Sequence, residues 1–408
     1  MKTVIVGAGM VGLSSAWFLQ EAGVEVEVVD RQGVAAGSSW GNAGWLSPAL
    51  TVPLPEPGLL KEGPRIVMGR AAPVVIPRTW DPQLWAFLAR MARHCTSRQW
   101  QRAMRAYRGV NDEALAAYDH LEQHGVQAES IERRILAAVA TRGEAQPFVD
   151  ELLRVSAAGQ HVDMEVLTGD EARAEEPLLS DAIMMAVAVK GSRYINPGDY
   201  VRAIGDAVVA GGGTVRAGVQ VQGVAHRGTR VVIEAADEQI EADAVVLANG
   251  AWLSSLAGPH GVSTQVRAGR GYSFTVDTPT PPAGPIYLPG ALSACTPYRG
   301  ALRVTGMMEL DDVDAPLAPR RIETIARAIE PFYRGIDVQA RRDEWVGARP
   351  VTPDGLPLIG ATRTPGVYVA GGHGMWGVTL GPLTGQLLAP LITEGRKAPA
   401  LEAFDPVR

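Results

Sequence analysis

Only two cysteines occur in the 408 residues, Cys95 and Cys295. They form no CxxC pair and no zinc pattern, and so low a count suits a reducing compartment, with at most one disulfide to be made. Basic charge is also short, with 38 Lys and Arg against 44 Asp and Glu, for a net charge of −6. That balance removes the case for nucleic acid as a global partner. Long hydrophobic runs are missing, since no segment approaches the roughly 20 uninterrupted apolar residues of a membrane-spanning helix. The first apolar run, Val4-Ile5-Val6, is too short for a secretory signal and ends in glycine. The expectation is a cytoplasmic protein, with peripheral contact at the inner face of the membrane as the one membrane option. No repeat and no low-complexity tract is present.

Glycine is plentiful, and its first cluster is informative. Val4–Val6 reads as a buried parallel strand, followed by Gly7, Gly9 and Gly12 in G-x-G-x-x-G spacing. An amphipathic segment runs from Met10 to Ala22, with Val11, Ser15, Phe18 and Leu19 near one face, and Gly23 stands at a helix C-terminus. A second strand, Glu25 to Val29, ends on Asp30. Gly7 allows the tight turn, Gly9 lets a pyrophosphate approach the backbone, and Gly12 lets helix and strand pack closely. The helix N-terminus offers N–H groups to phosphate, and Asp30 falls where an acid bonds a ribose hydroxyl. The unit predicts a dinucleotide containing adenosine, with NAD and FAD both open at this point.

Further on, a Gly- and Ser-rich stretch from Gly33 to Pro48 carries Trp40, Asn42, Trp45 and Leu46. A proline-rich segment, Val52 to Pro82, reads as an extended loop packed over another domain. Helical spacing runs from Pro82 to about Gly125 through Trp100, Met104, Tyr107, Leu115, Tyr118 and Leu121. Thr168 before Asp170-Glu171 marks a helix start, and a helix from Asn196-Pro197 ends at Gly211–Gly213. A strand from Thr214 to Val221 precedes the buried strand of DAVVLANGAW, and Ala301 to Met307 alternates as an antiparallel strand does. The layout is α/β: a Rossmann-like nucleotide-binding domain from 1–47, 190–254 and 344–408, interrupted by a substrate domain from 48–189 and 255–343 with an antiparallel sheet.

Five motifs in order carry a resemblance over essentially the whole chain. They are the glycine fingerprint, S-x-x-N-A-G-x-x-x-P at Ser39–Pro48, R-G-Y-S at Arg270–Ser273, R-P-x-T-P-D-G-x-P-x-I-G at Arg349–Gly360, and G-H-G-x-x-G-x-T-L-G-P at Gly372–Pro382. The chain resembles FAD-dependent oxidoreductases of the D-amino acid oxidase and glycine oxidase superfamily, and within it the small-subunit type of D-amino acid dehydrogenase. The glycine-rich helix start near the C-terminus agrees with a flavin. The reduced ring carries negative charge at N1 and C2=O, which the backbone N–H groups of Gly374, Gly377, Val378, Thr379 and Leu380 would face.

The resemblance implies FAD as cofactor, held in addition by Met10, Val11, Arg31, Ser38, Ser39, Asn42, Ala43, Gly44, Trp45, Leu46, Val219, Asn249, Gly250, Trp252, Gly347, Gly372 and His373. Asn249 stands where such flavoproteins carry threonine, Asp30 where many carry glutamate, and Gly347 near where a cysteine-linked flavin has its cysteine. The implied reaction is oxidation of an amine beside a carboxylate, on a D-amino acid or a secondary or cyclic, D-proline-like amino acid. The α-hydrogen leaves as hydride to flavin N5, and the imine is hydrolysed to an oxo acid. Arg349 is the candidate cation for the carboxylate. Tyr272 is either a substrate or flavin contact or a core tyrosine, and His373 either lines the site, carries a covalent flavin bond or serves the turn. Tyr287, Tyr298 and Arg270 are weaker candidates, and Ser47 borders the ring. A glycine- or sarcosine-type oxidase and a 2-hydroxy acid dehydrogenase are the alternatives, with oxygen or a quinone or electron-transfer chain as acceptor. No metal is expected. Arg90, Arg93, Arg98, Arg102, Arg105 and Arg108 form an acid-free stretch, read either as a surface for anionic lipid or an electron-accepting partner, or as a solvated helix face.

Overall fold

The computed structural model describes residues 1–60, 74–76 and 80–408. Its first sheet has six strands in the order Leu358–Ala361, Val367–Gly371, Ala244–Leu247, Lys2–Val6, Glu25–Asp30, Thr214–Ala217. All neighbours are parallel except the outermost pair, Leu358–Ala361 with Val367–Gly371. Because side chains alternate across a strand, the apolar run of each central strand is shared between two cores. Ile5, Val28 and Val246 face the helices, while Val4, Val6, Val29, Val245 and Leu247 face a small antiparallel sheet through Val231, Ile233 and Ile240.

The helix Met10–Glu21 is not amphipathic as its spacing suggested. Every residue from Gly12 to Leu19 is buried, because Pro197–Ala210 packs on one side and Gly377–Glu394 on another. Val11, expected on the buried face, is only partly covered. The seam with Gly377–Glu394 has no room for side chains. A Cβ on Gly381 would lie 2.6 Å from Met10 Cγ, and one on Gly385 would lie 2.6 Å from the Ser14 carbonyl oxygen.

The second sheet has eight strands, in the order Arg342–Val351, Arg267–Val276, Ala301–Leu310, Ser293–Tyr298, Ile286–Leu288, Ile135–Val139, Met185–Val189, Met164–Thr168. It is antiparallel apart from the junction of Ile286–Leu288 with Ile135–Val139. Arg342–Val351 pairs along Arg267–Val276, so this strand belongs to the second sheet. The return to the nucleotide unit therefore falls after Val351 rather than at 344. Ala301–Leu310 is buried nearly throughout rather than on alternate residues, with Leu302 and Val304 against the helix Pro319–Ile329. A three-stranded sheet of Trp45–Leu46, Arg193–Tyr194 and Ile131–Glu132 ties the segments that run between the two large sheets.

The helical stretch after Pro82 is broken. Pro82–His94 ends at Cys95, and Thr96 starts Ser97–Gln123 by accepting a hydrogen bond from the Gln99 N–H. Thr168 and Glu171 form a complete capping box, as the sequence predicts. Thr214–Ala217 ends four residues early, and Val221–Arg227 starts the small antiparallel sheet. Of the proline-rich segment, Val75 bridges to Ala301–Leu310, with its N–H 2.7 Å from the Met308 carbonyl. Residues 61–73 and 77–79 of that segment lie outside the described residues.

Gly385→Ala tests the helix seam. Propensity alone favours alanine by up to about 1 kcal/mol, whereas the overlap with the Ser14 carbonyl forces the helices apart at a cost of about 1–3 kcal/mol. The expected outcome is a lower melting temperature together with weaker flavin retention. A rise in melting temperature would show that the seam is loose.

Candidate active site

The parallel strands end together at one cleft. Val6 and Gly7, Val29 and Asp30, Ala248 and Asn249, and Ala370 and Gly371 all border it. Ligands of open α/β sheets bind at this carboxyl edge. Gly7 turns there with φ of +116°, and a Cβ on it would lie 2.5 Å from the Ala248 carbonyl oxygen. Gly9, Met10 and Val11 line the cleft, and Gly9 begins the helix with no capping side chain and no acid in the first turn. Gly12 does not line it, because its Cα side abuts the Gly7 carbonyl. Asp30 accepts hydrogen bonds from the Ala8 N–H at 2.9 Å and from the Gln32 and Gly33 N–H groups at 2.8 Å. Ser39 Oγ accepts from the Met10 N–H at 3.2 Å. Arg31 lies 3.7 Å above the Trp252 ring, and both line the cleft with Ser38, Asn42, Val219 and Gly250.

A second helix N-terminus enters the same cleft. Gly377–Glu394 starts after Trp376 with no capping side chain and no acid in its first turn, and Gly377 and Val378 line the cleft. The preceding turn uses Gly374 at φ of +56°, with its N–H donated to the Pro350 carbonyl. His373 lines the cleft, fully buried, with Nε2 2.9 Å from Thr384 Oγ1. Burial pulls its pKa down to about 3, so the ring is neutral, and Nδ1 has no partner among the described residues. Asn249 Oδ1 is also buried and unpartnered. Two uncapped helix ends and two orphaned polar atoms around one cleft match a group with a diphosphate and a hydrogen-bonding ring.

Several predicted contacts lie elsewhere. Gly372 abuts Thr352 Cγ2, Gly347 lies under the Trp345 ring, and Gly44 abuts the Ile195 carbonyl. Leu46 is in the core, and Thr379 Oγ1 donates to the Trp45 carbonyl. Ser47 pairs with Ser192. Ala43 and Trp45 line a neighbouring cavity instead.

That cavity, of about 300 Å³, is walled by Val52, Leu54, Phe148, Tyr287, Met307, Met308 and Trp376 and carries Glu151. Asn42, Arg349 and Met375 line both spaces. Arg349 donates from Nη1 to the Met307 carbonyl at 2.8 Å and has no ion pair among the described residues. Enclosure lowers its pKa to about 10, which leaves it charged at neutral pH. Gly271 makes the room, since a Cβ there would sit 2.2 Å from the Arg349 Cζ.

Strand alternation then sends Arg270 and Tyr272 to the opposite face. Tyr272 is fully buried, its hydroxyl donates to Glu309 Oε2 at 2.5 Å, and it touches neither cavity. Glu309 also takes Arg321, and Arg270 donates to the carbonyls of Ala315 and Pro316. Tyr272 is therefore a core residue, not a site residue. Tyr298 lies under Arg303, whereas Tyr287 does line the second cavity. Sequence reasoning missed Glu151, Phe148, Met307, Met308 and Met375, which no motif marks.

Glu21, His120 and His124 are the one metal-sized group among the described residues. They cluster at the far end of Met10–Glu21, about 18 Å from its cleft end by helix rise. All six arginines of the acid-free stretch are exposed, and Arg108 alone has an ion pair among the described residues, with Asp112 at 4.0 Å. The apolar residues between them, Phe87, Met91, Trp100, Met104 and Tyr107, are buried. Cys95 and Cys295 are buried free thiols. No helix among the described residues is long and apolar enough to cross a membrane.

His373 makes acid stability testable. Its folded pKa lies below the unfolded value of 6.5, so the folded state binds fewer protons, and stability present above pH 6.5 is lost as pH falls towards 3. His373→Asn is expected to flatten the fall in melting temperature between pH 6.5 and 4.5. An unchanged slope would place the acid sensitivity elsewhere.

Residues 2–391 match the family described as FAD dependent oxidoreductase, DAO. A D-amino acid dehydrogenase of Xylella fastidiosa (strain M23) is 31% identical over 407 residues, spanning 96% of this chain and 92% of that protein. One of Methylobacterium radiotolerans is 32% identical over 429 residues, with 99% and 98% covered. Glycine oxidase from Geobacillus kaustophilus superposes with a TM-score of 0.75 at 22% identity, covering 100% of this chain and 98% of that one. With both sheets, the two helix ends and this near-complete match in hand, the chain belongs to the DAO family of FAD-dependent oxidoreductases.

Proposed function

We propose that this chain oxidises the Cα–N bond of an amino acid, either a D-amino acid or a secondary or cyclic one of the D-proline type. The observation that carries this reading is Arg349, an enclosed guanidinium without an acidic partner that borders both the cofactor cleft and the apolar cavity. An unpaired buried cation is costly unless an anion arrives, and a carboxylate fits its planar fork bidentately. The dehydrogenase names of the two curated relatives support the same class.

Gly9–Val11, Asp30, Ser39 and Val219 would hold the nucleotide part of FAD, and the helix start at Gly377 and Val378 would face its ring; when bound, the cofactor would supply a two-electron acceptor. Arg349 anchors the substrate carboxylate, and its Met307 carbonyl contact fixes the fork. The walls formed by Trp45, Tyr287, Met307 and Met375 exclude water and hold the α-hydrogen towards the cleft. From the neutral amine, the Cα–H electron pair would pass as hydride to the bound two-electron acceptor while the nitrogen lone pair makes the C=N bond, and the resulting iminium would lose one N–H proton to water to give the imine. Water then adds to the released imine, and the nitrogen leaves to give the oxo acid. Neutral His373 would offer Nδ1 to the bound cofactor as an uncharged hydrogen-bonding atom, and the start of Gly377–Glu394 would stabilise negative charge on its ring.

Arg349→Ala is expected to keep its flavin absorbance but to lose roughly 100- to 1,000-fold in kcat/KM, the equivalent of about 3–4 kcal/mol. Unchanged turnover would remove Arg349 from the site. Anaerobic mixing of the wild-type protein with pooled D-amino acids is expected to bleach the flavin, and re-admitting air then sorts oxidase from dehydrogenase. Bleaching by 2-hydroxy acids alone would move the reading to alcohol oxidation.

A further inference from the structure

Among the described residues, Glu151 is the one acid lining the second cavity, and Arg349 is the one cation. The two do not pair with each other. Glu151 makes no hydrogen bond and no ion pair among the described residues, although it stands on the wall of a mostly apolar space. The inward positions of its helix, Arg142–Ala157, are Ala145, Phe148, Leu152 and Val155. An acid beside them is costly to bury and adds nothing to packing.

The groups around Glu151 relieve it only in part, since Arg154 favours its charged form but forms its ion pair with Glu56. Arg154 is 3.5 Å from Glu56, which adds a like charge near Glu151. Tyr287 is close enough for its phenol to feel both acids, and its ring packs on Phe148 at 5.6 Å and edge-on to Trp45 at 6.1 Å. Burial and Glu56 together push the Glu151 carboxyl up to about 7.

Two unpaired charges of opposite sign on one amino-acid-sized cavity call for a ligand that carries both complements. We propose that Glu151 forms a subsite for a cationic side chain, so that the preferred substrate is a basic amino acid with its α-carboxylate on Arg349 and its ammonium or guanidinium on Glu151. The aliphatic stem would lie along Trp45, Tyr287 and the methionines, which suits an unbranched chain. This inference rests on the amino-acid reading above and narrows it.

The test compares kcat/KM, with an artificial dye as acceptor, for D-lysine and D-arginine against the uncharged D-norleucine and D-methionine. The wild-type holoenzyme is expected to favour the basic pair at least tenfold. Glu151→Gln is expected to cut kcat/KM for the basic pair roughly 10- to 100-fold and to change that for D-norleucine less than threefold. Equal losses on all four would put Glu151 at the α-amino group and overturn the subsite, as would a wild-type enzyme indifferent to side-chain charge.

A second measurement needs no variant. The ratio of KM for D-norleucine to KM for D-lysine is expected to rise as pH increases through about 7, because Glu151, facing Glu56, Arg154 and Tyr287, gains its charge there. A flat ratio counts against the subsite. Oxidation of neutral D-amino acids but not basic ones overturns the subsite alone, whereas no bleaching by any amino acid overturns the functional reading beneath it.

Discussion

The contact between the helices Met10–Glu21 and Gly377–Glu394 governs the geometry of the whole site. Gly381 and Gly385 let the second helix lie directly on the Met10 and Ser14 backbone of the first. Their N-termini, separated by most of the chain length, thereby reach the same cleft. Neither end has a cap from its own N-cap residue or an acid in its first turn, and Ser39 takes only the Met10 N–H of the first, so both positive dipole ends face the cleft. One end suits the diphosphate and the other a ring that becomes negative on reduction. The parallel sheet supplies the floor, because its central strands all finish at the same edge.

Charge placement around Arg349 follows from a different constraint, the alternation of a strand. Gly269 and Gly271 face the site side of Arg267–Val276, and a side chain at Gly271 would occupy the position of the guanidinium. Arg270 and Tyr272 face away and are neutralised in a closed cluster with Glu309 and Arg321. The sheet thus keeps Arg270 paired and buried on its far face, while Arg349 stands on its near face without an ion pair among the described residues and borders both cavities. Glu151 repeats the pattern with opposite sign on the facing helix.

Much of the cofactor half was legible from the residues. The strand, the three glycines and Asp30 form a local unit whose physics is complete within 30 residues, and the C-terminal G-H-G turn is local in the same way. Asp30 sits at the cleft, where it also organises the Ala8, Gln32 and Gly33 N–H groups. Errors arose where a motif residue's direction depended on register. Tyr272 lies within an informative motif, yet its side chain points into the core rather than the cleft. The amphipathic reading of Met10–Glu21 failed because three elements cover it, which no period within the helix can show.

By itself the sequence determined the nucleotide-binding unit, because strand, glycines, helix and Asp30 depend on neighbours a few residues apart, while Arg349 was marked as a carboxylate partner by the family resemblance. The tertiary structure alone decided which face of each strand meets the cavity, and that Arg349 and Glu151 share one space without touching. It also decided that Gly271, rather than Tyr272, is the residue of the R-G-Y-S motif that shapes the site. Those facts depend on pairing between strands and helices far apart in the chain, and a one-residue change of register exchanges every inward side chain for an outward one.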